Sequence, residues 1–172
     1  DKNNSKLIKS LKIKNYNSYG IHKSSNFRIS RPIQTREWST FDLIIDLPGK
    51  KTFSINNIKV PLIGLHNIRN TTASIAVAVS LGIPINKIKD GLKTFKGVQR
   101  RFNKIFDYKG VSFFDDYAHH PTEIKEVLNG VKEVYKKEEI ICIFQPHRIS
   151  RLNDLSNDFS KSFKNSDQVL LC

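Results

Sequence analysis

Apolar residues in the first half of the chain follow the spacing of strands and then of helices. Between residues 27 and 62 they recur at roughly every second position between turn signals, which indicates antiparallel hairpins. Residues 67–81 are apolar nearly all round, a pattern typical of a helix buried in a larger core. Gly82 follows as a helix stop. A second amphipathic helix is expected from Asn86, its predicted N-cap, to near Gly97.

Beyond Gly97, strand and helix patterns alternate through short links. This order implies right-handed crossovers and parallel pairing of the strands, so the expected fold class is α/β. The strands are expected at 111–115, 140–144 and 168–172, with one helix opening at His120–Pro121 and another over about 151–164.

Composition narrows the possible partners. Lys and Arg number 29 against 16 Asp and Glu, for a net charge of +13. Many lysines lie on faces that look solvated, and no basic block is interleaved with aromatics as a nucleic-acid stacking platform requires. No apolar run approaches the roughly 20 residues of a membrane span, and two cysteines make no disulfide framework. We therefore expect a cytoplasmic protein with no nucleic-acid or membrane partner.

The absence of methionine and the apolar run at the end of the sequence predict that the chain is part of a longer protein.

Polar clusters stand where two of the predicted strands end. Asp115, Asp116, Tyr117, His119 and His120 follow the first strand. In an open parallel sheet such clusters meet at the carboxyl edge, where these sheets bind ligands. The second strand is followed by Gln145, Pro146, His147, Arg148 and Arg151.

The residue types leave several chemistries open. Asp116, His119, His120 and His147 could coordinate zinc in a metal-dependent hydrolase. The two adjacent histidines could instead bind an anion at a helix N-terminus, and His120 could simply cap the helix. The guanidinium groups suit carboxylate or phosphate recognition; they belong to Arg100, Arg101, Arg148 and Arg151.

A second candidate site lies at the start of the helix over 67–81. His66 and Asn67, with Asn70, could bind an adenine edge, and plain N-capping is an equally good reading of the same residues. No G-x-x-x-x-G-K-[ST] phosphate loop occurs in the sequence.

Four strings resemble the Mur ligases in their order and spacing, and the resemblance covers roughly residues 19–172. The strings are Gly64–Asn70, Phe95–Phe102, Asp115–Glu123 and Phe144–Arg148. The resemblance implies that residues 1–97 are the end of a central ATP-binding domain. Residues 98–172 would then begin a Rossmann-like C-terminal domain, truncated here, with a hinge near Gly97.

Within the family, the strings match the alanine-adding members. The tripeptide-adding recycling ligases are the alternative, and they look different at Phe144–Arg148. The implied reaction joins L-alanine to UDP-N-acetylmuramate in peptidoglycan precursor synthesis, through an acyl phosphate made with ATP. ATP and Mg²⁺ are the implied cofactors. The phosphate loop and the Mg²⁺ ligands would lie outside these residues, so the chain by itself is expected to be inactive.

The resemblance also implies roles for individual residues. Asn67 and Asn70 would contact the adenine, and Arg100 and Arg101 would face the nucleotide phosphates. Tyr117, His119, Arg148 and Arg151 match positions around the muramoyl and alanine groups. The implied catalytic residues are Arg101, Asp116, His119 and Arg148.

Overall fold

The computed structural model describes residues 6–8 and 10–172. Its first part is a four-stranded sheet in the order β1-β2-β3-β4. The short β1 runs parallel to β2, and the remaining neighbours are antiparallel, so the predicted hairpins are confirmed. The strands are β1 (Tyr19–Gly20), β2 (Phe27–Gln34), β3 (Ser39–Ile45) and β4 (Phe53–Val60).

Two helices follow this sheet, α1 (Leu65–Ser80) and α2 (Ile85–Thr94). Helix α1 buries Ile68, Thr72 and Ile75 but leaves Val77 61% exposed, so the expected all-round burial is wrong within the described residues. The helix has one apolar face on the sheet. The expected N-cap Asn86 is also wrong, because Pro84 is the cap and α2 begins two residues earlier than a cap at Asn86 predicts.

The second part begins with a hairpin of β5 (Asn103–Tyr108) and β6 (Val111–Asp115). Lys109 and Gly110 join these strands in two residues, and both have positive φ (47° and 82°), as a type I′ turn requires. Helix and strand then alternate through α3 (Pro121–Val134), β7 (Ile141–Phe144), α4 (Ile149–Asp154), α5 (Ser156–Ser162) and β8 (Gln168–Leu171).

Strand pairing in this part agrees with the sequence only for the last two strands. Strands β7 and β8 are parallel, as expected. Strand β6 was expected beside β7 in the same sheet, and that is wrong among the described residues, where β6 pairs with β5 alone. The tight turn at Lys109–Gly110 gives β6 a local antiparallel partner. The helix expected over 151–164 is two short helices that meet at Leu155.

Buried apolar residues form two separate clusters. The first lies between the four-stranded sheet and α1 and α2, and its members run from Phe27 to Leu92. The second packs α3, β7 and α5 together, and its members run from Phe102 to Phe163. We propose on this basis that the domain boundary falls at 97/98, within the segment between the clusters. Within the described ranges, no helix is long and apolar enough to cross a membrane.

The packing of the first cluster leads to a stability prediction. Leu43 in β3 is fully buried, whereas Leu81 at the end of α1 is 73% exposed. Leu43→Ala should lower the free energy of unfolding in urea by about 2–5 kcal/mol, because it removes apolar contacts and leaves a cavity. Leu81→Ala is the matched control, with a change within about 0.5 kcal/mol expected. Equal effects of the two substitutions would contradict this account of the core.

Candidate active site

Asp116 connects two loops at the start of the second part. Its carboxylate accepts a hydrogen bond from the Phe102 backbone N–H at 2.8 Å and another from the Ala118 N–H at 2.7 Å. The Tyr117 N–H donates to the Arg100 carbonyl at 2.8 Å. The loop before β5 and the turn after β6 are therefore held together by backbone groups and one side chain.

Opposing effects act on the charge of Asp116. Burial raises the pKa of its carboxyl group, because removal from water disfavours the charged form. The two N–H donors, the Arg101 guanidinium and the nearby His66 ring act in the other direction, and the pKa stays raised overall. Asp116 is thus a half-buried carboxyl group that needs its donors to remain charged.

Asp115 has a different partner, as expected when successive side chains alternate along a strand. Its Oδ2 lies 3.4 Å from Nε of Arg100. The Arg100 guanidinium also lies over the Tyr117 ring, 4.9 Å from the ring centre. The exposed Asp115 thus orients an arginine, and the half-buried Asp116 orients the backbone.

The N-terminus of α3 uses its own side chains as caps. The backbone N–H groups of His119 and His120 donate to Oε2 of Glu123 at 3.0 and 3.3 Å. The His120 Nδ1 accepts from the Thr122 N–H at 3.3 Å, and Pro121 occupies the first helical position. Because these N–H groups are already bonded, the structure supports the capping interpretation of His120.

Glu123 is held charged by this arrangement. Burial raises the pKa of its carboxyl group, but the His119 and His120 N–H donors, with the nearby Arg101 and His119 side chains, outweigh burial and lower it overall. The His119 ring donates from Nδ1 to the Tyr117 carbonyl at 2.8 Å and lies beside the Tyr117 ring. His119 is therefore held in place by the same turn that Asp116 stabilises.

The arginines after β7 differ in what they bind. Arg151 donates from Nη1 to the His119 carbonyl at 3.2 Å, which connects α4 to the turn before α3. Arg148 has a left-handed backbone (φ 66°) at the start of α4, and its side chain is exposed. In the described part of the chain, the side chains of His147 and Arg148 make no hydrogen bond or ion pair. Arg148 is thus available for an anion.

The start of α1 settles one of the alternatives from the sequence. Gly64 is the N-cap, and no side chain caps the helix, so the capping interpretation of Asn67 and Asn70 is wrong. Asn67 instead donates from Nδ2 to the Ile63 carbonyl at 2.7 Å, and Asn70 is exposed. The Asn67 amide oxygen and the whole Asn70 amide face no protein partner among the described residues.

The zinc interpretation finds no support in the geometry. Among residues 6–8 and 10–172, no three His, Cys, Asp or Glu side chains converge as a metal site would need. His120 serves as a cap, and the Asp116 oxygens accept from backbone N–H groups. Side chains that the sequence places close together therefore face different partners.

The chain is similar to known proteins along its whole length. Residues 100–172 match the family described as Mur ligase, glutamate ligase domain. Over all 172 residues, the chain is 63% identical to the UDP-N-acetylmuramate--L-alanine ligase of Pelagibacter ubique (strain HTCC1062). The match covers the whole of this chain and 37% of that protein. The chain belongs to the Mur ligase family.

Two solved structures share the fold of this Mur ligase chain. A UDP-N-acetylmuramate-alanine ligase from Thermotoga maritima is 31% identical with a TM-score of 0.69, over 89% of this chain and 33% of that one. A murein peptide ligase from Psychrobacter arcticus 273-4 is 26% identical with a TM-score of 0.58, over 90% of this chain and 31% of that one. The chain thus spans about a third of the length of these Mur ligases.

Two features of the candidate site were not predicted from the sequence: the capping role of Glu123 and the burial of His66. Glu123 stands three residues after His120, and this capping-box spacing could have identified it. The sequence suggested His66 as an adenine contact or as part of a helix cap. Burial between α1 and α3 lowers the pKa of the His66 ring, and its Nδ1 is buried without a hydrogen-bond partner among the described residues. The sequence carries no signal for that contact, because it depends on how two distant helices pack.

The two aspartates allow a matched test of this site. Asp116→Asn leaves one acceptor oxygen for two N–H donors, so we expect unfolding free energy to fall by about 1–3 kcal/mol. Asp115→Asn loses only an exposed ion pair and should cost about 0–1 kcal/mol. Urea unfolding of both variants measures the difference. If Asp116→Asn is as stable as Asp115→Asn, Asp116 does not hold the two loops together.

Proposed function

We propose that the whole protein of which these residues form part joins L-alanine to UDP-N-acetylmuramate with ATP, in peptidoglycan precursor synthesis. The observation that supports this most strongly is the 63% identity, over all 172 residues, to a relative with the name of that ligase. The identity to the murein peptide ligase is 26%, which favours alanine over a peptide as the second substrate. The expected cytoplasmic location belongs to the same proposal.

The first group of residues is proposed to hold the nucleotide. Asn67 and Asn70 contact the adenine, and the free amide groups described above fit a base edge, which offers both donors and acceptors. Arg100 and Arg101 face the phosphates. Their guanidinium groups sit at the loop that Asp116 fixes, so the position of both depends on that carboxylate.

The second group is proposed to hold the carboxylates and the transferred phosphoryl group. Arg148 is exposed and unpaired in the described chain, and a guanidinium binds a carboxylate or phosphate through two parallel hydrogen bonds. The Tyr117 and His119 rings lie side by side, and Arg151 donates a hydrogen bond to the His119 carbonyl. We propose that these residues bind the same groups as Arg148. Asp116 acts by positioning, since both its oxygens already accept from the backbone.

The chemistry of the proposed reaction suits such a site. The muramoyl carboxylate takes the γ-phosphoryl group of ATP, and the alanine amine then displaces phosphate to form the amide. Negative charge builds up on the transferred group, and fixed guanidinium groups stabilise that charge without reorganising.

Mg²⁺ is the second cofactor expected for this chemistry. Among the described residues, no group of three metal-binding side chains converges. Mg²⁺ usually needs only one or two carboxylates together with substrate phosphates and water, and we propose that its ligands come from the rest of the whole protein.

A single substitution tests the role of Arg148. In the whole protein, Arg148→Ala should lower alanine-dependent phosphate release from ATP by about a hundredfold or more, because a charge-stabilising donor is lost. Its thermal unfolding should not change, since the exposed side chain makes no bond among the described residues. Phosphate release with UDP-N-acetylmuramate, ATP and L-alanine gives the rate.

Arg28→Ala is the matched control for this test. Arg28 lies on β2 in the four-stranded sheet, so its substitution should leave the rate unchanged. Near-normal turnover of Arg148→Ala would remove Arg148 from the site. Turnover of the unmodified protein with a tripeptide but not with L-alanine would replace the proposed second substrate.

A further inference from the structure

The turn between β2 and β3 reaches across to α3 and to the start of α1. The side-chain amide of Gln34 makes hydrogen bonds to the start of α1 and to α3. Its Oε1 accepts from the Gly64 N–H at 2.5 Å, and its Nε2 donates to the Glu133 carboxylate on α3. The backbone at the start of α1 is therefore connected to α3 through a single side chain.

Two glycines make the closest approach between these parts. A Cβ placed on Gly130 of α3 would lie 2.8 Å from the Gly64 Cα and 3.3 Å from the Gly64 nitrogen. Real Cβ atoms do not come so near to backbone, so any side chain at Gly130 would push α3 away from α1. Glycine is an unfavourable residue inside a helix. Its presence at this contact is explained by the close packing of the two backbones.

Arg36 adds a third contact from the same turn. Its guanidinium forms an ion pair with Glu138 and lies over the Tyr135 ring, 4.9 Å from the ring centre. Tyr135 and Glu138 follow directly on α3. The ion pair is exposed, so it contributes little free energy by itself. Its geometric effect is to fix where the C-terminal end of α3 lies.

We propose that the β2–β3 turn, residues 34–38, is a latch that holds α3 against the start of α1. Gln34 and Arg36 are then positioning residues for the ligation reaction, an inference that rests on the proposed function above. His66 and Asn67 lie in the first turn of α1, and His119 and His120 directly precede α3. The latch contacts the C-terminal end of α3, so it sets the orientation of that helix. The orientation of α3 in turn sets the distance between the residues at the start of α1 and those at the start of α3.

Hydrogen exchange at the Gly64 amide reports directly on the latch, because that N–H is bonded to Gln34. In the 172-residue chain, Gly130→Ala should speed exchange of the Gly64 amide by at least about tenfold, since it opens the contact locally. Amides of β3 should exchange as in the unmodified chain, which shows that the sheet is intact. Unchanged Gly64 exchange in Gly130→Ala would overturn the latch.

Gly91→Ala is the matched control for Gly130→Ala. Gly91 also lies inside a helix, but a Cβ placed on it meets nothing within 4 Å. It should leave Gly64 exchange unchanged. If Gly91→Ala speeds that exchange as much as Gly130→Ala does, the effect is general loosening and the latch is refuted.

Charge reversal gives a second test that does not alter the glycine contact. In the whole protein, Arg36→Glu places two acidic groups together and should lower kcat by about tenfold or more, with KM for ATP little changed, because it misplaces α3 without touching the nucleotide. Adding Glu138→Arg should restore part of kcat. Full activity of Arg36→Glu, or no rescue by the double variant, would overturn the positioning role.

The two tests separate the latch from the proposed reaction. If the unmodified whole protein does not consume L-alanine, the proposed function fails, and the exchange experiment still decides whether the latch exists. If ligation is normal and Gly64 exchange does not respond to Gly130→Ala, the latch fails and the proposed function stands.

Discussion

The arrangement of the candidate site depends on one carboxylate that two loops share. Asp116 accepts from the backbone N–H groups of Phe102 and Ala118, so a residue just after β6 fixes the loop that leads into β5. Burial opposes this, since it raises the pKa of Asp116, and the N–H donors offset part of that penalty. The positions of Arg100 and Tyr117 follow from this connection.

Near that carboxylate, some polar groups are already hydrogen-bonded within the protein and others are free to bind a ligand. The backbone N–H groups at the start of α3 are bonded to Glu123 and His120, so they do not add to anion binding there. Arg151 is bonded to the His119 carbonyl. In the proposed site, recognition of phosphate or carboxylate falls to the guanidinium groups, and the exposed Arg148 makes no hydrogen bond or ion pair among the described residues.

The two parts of the chain come closest at Gly64 and Gly130, and this explains why the absence of side chains matters there. Gly64 and Gly130 let the backbones of the two parts approach, and Gln34 joins them by hydrogen bonds on both sides. The proposed site draws one group from α1 and another from α3 and therefore needs this contact, because the buried apolar residues of the described chain form two separate clusters.

Local patterns in the sequence were sufficient for much of the fold. The hairpins of the first sheet, helix α1 to within two residues, the His120–Pro121 start of α3 and the parallel pairing of β7 with β8 were all predicted correctly. Each depends on periodicity or on capping within a few residues. The family was also recognisable from four short strings, because these keep their order and spacing along the chain.

Other features could be seen only in the tertiary structure. Strand β6 pairs with β5 because the Lys109–Gly110 turn allows it, and its apolar run alone could not show which neighbour it would have. His66 is buried by a helix whose residues follow it by more than fifty positions, and Gln34 binds Glu133, 99 positions along the chain. The sequence by itself determined which elements form and which chemical groups are present. Only the folded chain decided which of those groups face each other, because such contacts depend on how distant elements pack and not on local spacing.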